Sequence, residues 1–295
     1  MDSLSGISAF VQVSETRNFT EAGRLMGVSS SAIAKSISRM EERLGVRLFH
    51  RSTRSITLTA EGTQFLARCR RILSEIEAAE AELSGAVGAA RGRLRVSTPQ
   101  LIGVMMPVFD GFMQRYPDIE LDIDMSDRMV DVIEEGFDAV IRTGMQTDSR
   151  LISRRLGDCP QVLVASPDYL ERHGTPEVPE DLQRHACLQH KFPFTGKLER
   201  WPLRRADSVD LVLPETMTSS TVEAVAYAAR EGRGIAFLPE LLVRDALKND
   251  QLRIVLADYV SQTVTFRMLW PASRYASPKL RALIDYMAEN LLSPR

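Results

Sequence analysis

The stretch Phe19–Leu58, FTEAGRLMGVSSSAIAKSISRMEERLGVRLFHRSTRSITL, leaves the chain little freedom in how it folds. It reads as a short helix, a turn, a second helix and a basic hairpin. Thr20 is placed as the N-cap of the first helix, which runs to about Met26, with its hydroxyl taking up an orphan amide. Ala22 and Gly23 are small enough for another helix to pass closely over that face. Gly27-Val28-Ser29 turns the chain, with Gly27 as the C-cap and Ser29 or Ser30 as the next N-cap.

The second helix has two faces. Ile33, Ile37, Met40 and Leu44 form one apolar stripe at helical spacing. The other face shows Ser31, Ala32, Lys35, Ser36 and Arg39, with Ser30 at its start. Short side chains come first and cations follow. A helix in the DNA major groove needs that order: small donors and a methyl where the backbone approaches base edges, longer cations reaching phosphates. The hairpin after Gly45 is apolar at both ends and basic in the middle, so Arg51, Thr53 and Arg54 fall near its tip, facing a backbone or a minor groove. Residues 1–71 hold 11 Lys+Arg against 6 Asp+Glu, a net of +5, while the remainder holds 26 against 33, a net of −7. A formal charge of −2 therefore hides a basic head on an acidic body, an electrostatic footprint for nucleic acid. A plain three-helix unit with a solvated basic face does not account for the small residues at the start of that face or for the hairpin after it.

The run FTEAGRLMGVSSSAIAKSISRMEERLGVRLFHRSTRSITLTAEG resembles the N-terminal winged helix-turn-helix of LysR-type transcriptional regulators. The resemblance implies DNA-binding roles for Thr20, Ser30, Ser31, Ala32, Lys35, Ser36, Arg39, Arg51, Thr53 and Arg54, and a double-stranded DNA operator as partner.

Residues 4–16 read as a helix packing under this head through Ile7, Phe10, Val11 and Ser14, with Val13 adjoining. Phe19 acts as a hydrophobic staple. A long helix capped by Thr59 is expected to last to about Ala89. Phe65, Ile72, Ala79 and Ala86 repeat every seven residues, and Cys69, Ile76 and Leu83 fill the alternate seam, a heptad pattern that suits pairing of two chains. A single amphipathic helix lying on its own domain is the alternative. Two recognition helices on successive major grooves also call for a dimer, and the resemblance implies the same, often with a tetramer made from dimers.

Gly85, Gly88 and Gly92 mark a hinge. Strands are expected at Leu94–Ser97, Ile119–Met125, Ala139–Ile141, Gln161–Ala165, Leu211–Leu213, Ile235–Leu238 and Thr263–Leu269. Helices are expected at Leu101–Tyr116, Met129–Gly136, after Ser166, at Thr221–Glu231 and at Pro278–Leu292. The alternation points to a parallel α/β sheet. Phe137–Gly144, Leu156–Leu170 and Gly232–Pro239 resemble the effector domain of the same family, itself similar to periplasmic solute-binding proteins. The fold class is thus α/β with an α-rich head. A winged helix-turn-helix spans residues 1–59, and a linker or dimerisation helix with its hinge spans 60–91. A two-subdomain effector domain spans 92–295, with 92–163 and 267–295 in one subdomain and 164–266 in the other.

In an open α/β sheet the ligand crevice lies beyond the carboxyl ends of the strands. Ser97-Thr98-Pro99-Gln100 ends a strand and opens a helix, where hydroxyls and free amides hold an anion or a carbonyl oxygen. Ser219-Ser220-Thr221 opens a helix in the other half. Arg142 and Thr143 end a strand, Gln161 lies near the crossover, and Phe194 and Phe237 supply apolar walls. N-capping is the alternative role for each hydroxyl cluster. The effector expected is a small organic acid or aromatic metabolite.

No GxSxG elbow, Walker loop or complete GxGxxG is present, which speaks against an enzyme. No cofactor is expected. Cys69, Cys159 and Cys187 are odd in number and far apart, which suits reduced thiols. His185, Cys187 and His190 offer metal-ligand chemistry, but a polar, partly buried segment explains them as well, and no metal is expected. No apolar run is long enough to cross a bilayer and no signal-type start is seen. A cytoplasmic protein without membrane contact is expected, and an exported solute-binding protein is not.

Overall fold

A computed structural model describes residues 3–51, 56–83, 90–144, 148–204, 211–272 and 276–293, apart from the side chains of Ser3, Arg51, Ser74, Glu75 and residues 77–83. The chain divides into two units. The first is the head, residues 1–90, with Val130–Asp138 and Ser273–Pro278 grouped with it; the second holds the rest.

In the head, α1 (Ser3–Thr16), α2 (Phe19–Met26) and α3 (Ser30–Leu44) precede a two-stranded wing, β1 (Phe49–Arg51) and β2 (Ile56–Leu58), and the long α4 (Ala60–Leu83). The cap of α2 is Asn18 rather than Thr20: its Oδ1 accepts the amides of Thr20 at 2.8 Å and Glu21 at 3.2 Å. An Asn in extended backbone reaches both amides, which leaves Thr20 exposed in the first turn. Gly27 ends α2 at φ 68, a left-handed conformation that glycine adopts without penalty. Gly23 is tight for another reason. A Cβ there would run into the Val28 carbonyl, so the turn itself, not a second helix, folds over that face. Ser29 caps α3, its Oγ accepting the Ala32 amide at 3.2 Å.

Ile33, Ile37 and Met40 are buried, but Leu44 is 41% exposed, because α3 ends there and the stripe has nothing left to cover it. From α1, Ile7, Ala9, Phe10 and Val13 are buried, while the Ser14 hydroxyl bonds back to the Phe10 carbonyl. The Phe10 ring lies 5.3 Å from Phe49 on the wing and 5.2 Å from Phe65 on α4, and Phe19 meets Phe49 edge-on. Glu41 accepts the amides of Leu48 and Phe49 and so ties the wing root to α3. Thr59 caps α4 through the Gly62 amide and also donates to the Arg47 carbonyl. Phe65 and Cys69 are consumed by this core, so the lower part of the heptad seam serves its own head; Ile72, beyond it, is 43% exposed. Ala79 and Leu83 fall among the side chains not described. Ala86, the end of the helix near Ala89, and the hinge glycines Gly85 and Gly88 lie outside the described residues.

The second unit is one mixed sheet with helices. Its elements are β3 (Gly92–Thr98), α5 (Ile102–Arg115), β4 (Ile119–Met125), β5 (Ala139–Thr143), β6 (Leu151–Ala165), α6 (Pro167–His173), β7 (Cys187–His190), β8 (Met217–Ser219), α7 (Val222–Arg230), β9 (Ile235–Pro239), α8 (Glu240–Lys248), β10 (Arg253–Val255), β11 (Thr263–Pro271) and α9 (Pro278–Asn290). The strands run β4-β3-β5-β11-β6-β9-β7-β8, with β10 beside β6. The sheet is not purely parallel. β3 is parallel to β4 and β5, and β7 to β8 and β9, but β6 and β11 are antiparallel to their neighbours. β6 pairs with β11 up to Pro160 and with β9 from Gln161 onward, so one strand belongs to both half-sheets.

Other expectations shift. Val132–Gly136 is a turn, not a helix, because Asp131 takes the Ile133 and Glu134 amides and Gly136 has φ 71. Leu211–Leu213 is not a strand; the edge pairing is made by Met217–Ser219, which lies in register with Leu188–His190. The second half-sheet is covered on both faces. Val225, Ala229 and Val243 pack on one side, and Tyr169, Leu182 and Trp201 on the other.

Phe10 joins α1, the wing and α4. Phe10→Ala should cost about 3–5 kcal/mol by leaving a cavity beside the Phe49 and Phe65 rings. Urea unfolding of the variant against the parent checks this, and a loss well under 1 kcal/mol would contradict the packing.

Candidate nucleic-acid interface and effector site

On α3, Ser30, Ser31, Lys35 and Arg39 are exposed and Ala32 and Ser36 are half-buried, with Thr20 exposed on α2. Ser31, Ala32, Lys35 and Arg39 lie on the face of α3 opposite Ile33, Ile37 and Met40, with Ser30 next to the Ser29 cap. Arg51 ends β1, and its side chain lies outside what is described. Thr53 and Arg54, at the hairpin tip, lie outside the described residues. The head therefore offers a helix with short polar residues first and cations further along, beside a paired wing.

In the second unit the carboxyl ends of β3, β5, β7, β8 and β9 all turn toward the crossover of β6 and β11. Ser97 and Thr98 are fully buried, but strand alternation sends them to opposite faces. The Ser97 Oγ accepts from Arg142 Nη2 at 2.7 Å. The Arg142 guanidinium, 7% exposed, also donates to the carbonyls of Ile141 and Arg128. Thr98 Oγ1 is buried with no protein partner. Pro99 is buried and Thr143 is exposed at the end of β5.

The amides expected to be free at the start of α5 are taken. Gln100 N–H donates to Asp127 Oδ1 at 3.1 Å, and Gly103 N–H to Glu223 Oε1 at 3.0 Å. Two carboxylates thus stand at the positive end of that helix dipole and occupy these two amides. Glu223 lies on α7, and this bond therefore ties the two subdomains together.

Gln161 and His190 are 5% and 8% exposed. Both hydrogen-bond Glu199: Gln161 Nε2 to Oε1 at 3.3 Å, and His190 Nδ1 to Oε2 at 3.0 Å. Ser219 is half-buried and its Oγ accepts the Thr221 amide at 3.1 Å, a local turn bond; Ser220 is exposed. Phe194, at 75% exposure, stands on a hairpin closed by the Lys191–Leu198 bridge. Phe237 is not a cleft wall: it is 2% exposed in the core 6.2 Å from Trp201, because β9 is covered on both faces.

Residues 88–292 match the family described as "LysR substrate binding domain", and residues 4–63 match "Bacterial regulatory helix-turn-helix protein, lysR family". The chain belongs to the LysR family of transcriptional regulators. It is similar to the HTH-type transcriptional regulator CrgA of Neisseria meningitidis serogroup C, with 34% identity over 288 residues covering 97% of this chain and 96% of that one. The solved structure of CrgA from Neisseria meningitidis superposes with a TM-score of 0.65 at 32% identity, covering 99% of this chain and 100% of that one. The full-length structure of AphB, a virulence activator of Vibrio cholerae, superposes at 0.59 with 30% identity, covering 99% and 100%.

As a LysR-type regulator the chain is a DNA-binding transcription factor with a small-molecule-binding domain, and not an enzyme. Among the described residues no helix is long and apolar enough to cross a membrane. The free thiols are structural. Burial pushes Cys69 and Cys187 up to about 12 and also raises Cys159. His185 and His190 belong to separate networks: His185 Nδ1 meets the Tyr169 hydroxyl at 3.1 Å, whereas His190 faces Glu199.

Glu199 is the site residue that sequence reasoning missed. Only a hairpin brings it back beside His190, and its one local cue was an acidic residue nine places on. The same holds for Asp127 and Glu223, which reach α5 from distant segments.

The Tyr169 hydroxyl accepts the Ala186 amide at 2.9 Å and keeps its own proton available to His185 Nδ1, an arrangement that suits a neutral ring. Burial holds the His185 pKa below its ordinary value, and the unfolded chain then binds more protons than the folded one between the two values. Stability contributed here is complete above about 6.5 and is lost as pH falls below it. Melting temperatures at pH 5.5 and 7.5 should differ less in His185→Gln than in the parent; an unchanged difference would remove His185 from the acid response.

Proposed function

We propose that this LysR-type regulator works in the cytoplasm on a double-stranded DNA operator, as a homodimer that assembles further into a homotetramer, and that a small organic acid or aromatic metabolite in the effector cleft sets its activity. The observation that carries the DNA reading is the exposed row Ser30, Ser31, Lys35 and Arg39 on a helix capped by Ser29. Ser30, Ser31, Ala32 and Ser36 approach base edges, while Thr20, Lys35 and Arg39 approach phosphates. Arg51, Thr53 and Arg54 on the wing reach the backbone or minor groove. Residues 1–59, 60–91 and 92–295 are the proposed head, linker and effector domain.

The effector is held by Ser97, Thr98, Pro99, Arg142 and Thr143 on one lip and by Gln161, Phe194, Ser219 and Ser220 on the other. The buried, unpartnered Thr98 Oγ1 and Gln161 Oε1 support this. Arg142 brings a positive charge to the first lip. Closure about the β6–β11 crossover is the movement by which binding is passed on to the heads of the oligomer. Pairing of chains uses the α4 seam from Ile72 onward, since Phe65 and Cys69 are occupied.

Gel-shift titration of the upstream DNA of its own gene at several salt concentrations tests the head. Lys35→Ala and Arg39→Ala should each reduce the slope of log K against log salt by about 1; binding indifferent to salt in the parent would end the DNA reading. Light scattering tests the seam. Ile72→Asp should lower the molar mass at micromolar concentration, and an unchanged mass would move the interface elsewhere.

A further inference from the structure

We propose that Gln161, His190 and Glu199 form a built subsite that receives hydrogen-bond donors of the effector, hydroxyl or amino groups, and turns away its carboxylate. This rests on the cleft reading given above and narrows the chemical class of what fills it.

Glu199 can only accept hydrogen bonds as a carboxylate, and two donors converge on it. The Gln161 amide nitrogen meets Oε1 at 3.3 Å and His190 Nδ1 meets Oε2 at 3.0 Å. That settles which way each partner faces. The amide must present its nitrogen to Glu199, and the imidazole must carry its proton on Nδ1. The far end of each group follows: a carbonyl oxygen on Gln161 and, with the imidazole in its neutral form, the lone pair of His190 Nε2. Both of these atoms are buried and have no protein partner.

Buried acceptors without donors cost stability, and folded chains leave few of them. Here they share one carboxylate, so the arrangement is a unit. Its frame is stiff. Gln161 sits where β6 passes between half-sheets, its amide donating to the Gln262 carbonyl at 2.9 Å. His190 ends β7, in register with Ser219 at the end of β8. The Glu199 amide donates to the His190 carbonyl at 2.8 Å, and Phe192 stands edge-on to the imidazole at 5.0 Å. Gln161 pairs with Pro239 at the carboxyl end of β9 and His190 ends β7, so both stand at the carboxyl edge of the sheet, where α/β sheets bind ligands.

Charge sharpens the selection. Glu199 forms no ion pair with Lys or Arg among the described residues. A ligand carboxylate here would meet that negative charge and two acceptors, whereas a pair of hydroxyls, or an amino group, would satisfy both acceptors. An acid group on the same molecule belongs at the other lip, with Arg142 and Ser97.

The test is a thermal-shift screen of the full chain, followed by calorimetry, against matched pairs of small aromatic and aliphatic acids. In each pair the second member carries methyl in place of the hydroxyl or amino hydrogens. Ligands should come from the donor-bearing members, with the methylated partner roughly tenfold weaker or worse, as for one lost hydrogen bond in a buried site. Gln161→Met and His190→Phe should erase that preference; each also removes a donor to Glu199, so the comparison is made within each variant between the donor-bearing and methylated members of a pair. Glu199→Gln serves as a second route, since it frees the amide to rotate. Ligands drawn equally from both members, a preference that survives these substitutions, or no ligand at all would overturn the subsite. Thr98→Val separates the two levels. Binding that it weakens but that shows no donor preference keeps the cleft and sinks the subsite, whereas binding untouched by it and by the subsite variants sinks the cleft itself.

Discussion

The peptide between Pro160 and Gln161 is where β6 leaves one half-sheet and enters the other. A strand cannot turn a sharp corner without losing ladder bonds. β6 keeps its bonds by exchanging β11 for β9 at that point, with Gly157 and a register shift at Phe266/Arg267 absorbing the change. The carboxyl ends of the parallel strands in both halves consequently converge on one line. Thr98, Thr143, His190 and Ser219 come from four segments spread over about 120 residues of chain, and this strand gives them a common edge.

Electrostatics then decides what that edge can hold. The N-terminus of α5 is a ready anion site in principle, yet Asp127 and Glu223 already occupy its amides. Arg142 spends donors on Ser97, Ile141 and Arg128. Glu199 gathers Gln161 and His190, whose far polar atoms are buried without a protein partner. On the proposed reading, the polar groups of the cleft are divided between a lip with positive charge and a lip rich in acceptors. A ligand with an acid at one end and donors at the other fits that division better than a diacid.

The head follows a separate logic. Its aromatic cluster, Phe10 with Phe49 and Phe65, fixes the wing and α4 against α1, and Glu41 fixes the wing root against α3. The exposed row on α3 is then presented on a rigid support. Cys69, expected on a heptad seam, belongs to this core, because the first turns of α4 pack as part of the head.

Local patterns determined much of this protein by themselves. Helical spacing at Ile33, Ile37 and Met40, the turn at Gly27, the Thr59 cap and the strands at Ile119 and Ile235 all follow from contacts within a few residues, which is what periodicity and capping encode. The family, too, was legible, since the head motif and its wing are contiguous. Contacts between distant segments were not legible. Asn18 displaced Thr20 as a cap by reaching two amides; Phe237 became core because helices cover both faces of β9; β7, β8 and the full length of β6 depend on partners far along the chain. Glu199 acquires its meaning only when a hairpin returns it to His190, since a carboxylate's role is set by the donors that folding brings to it.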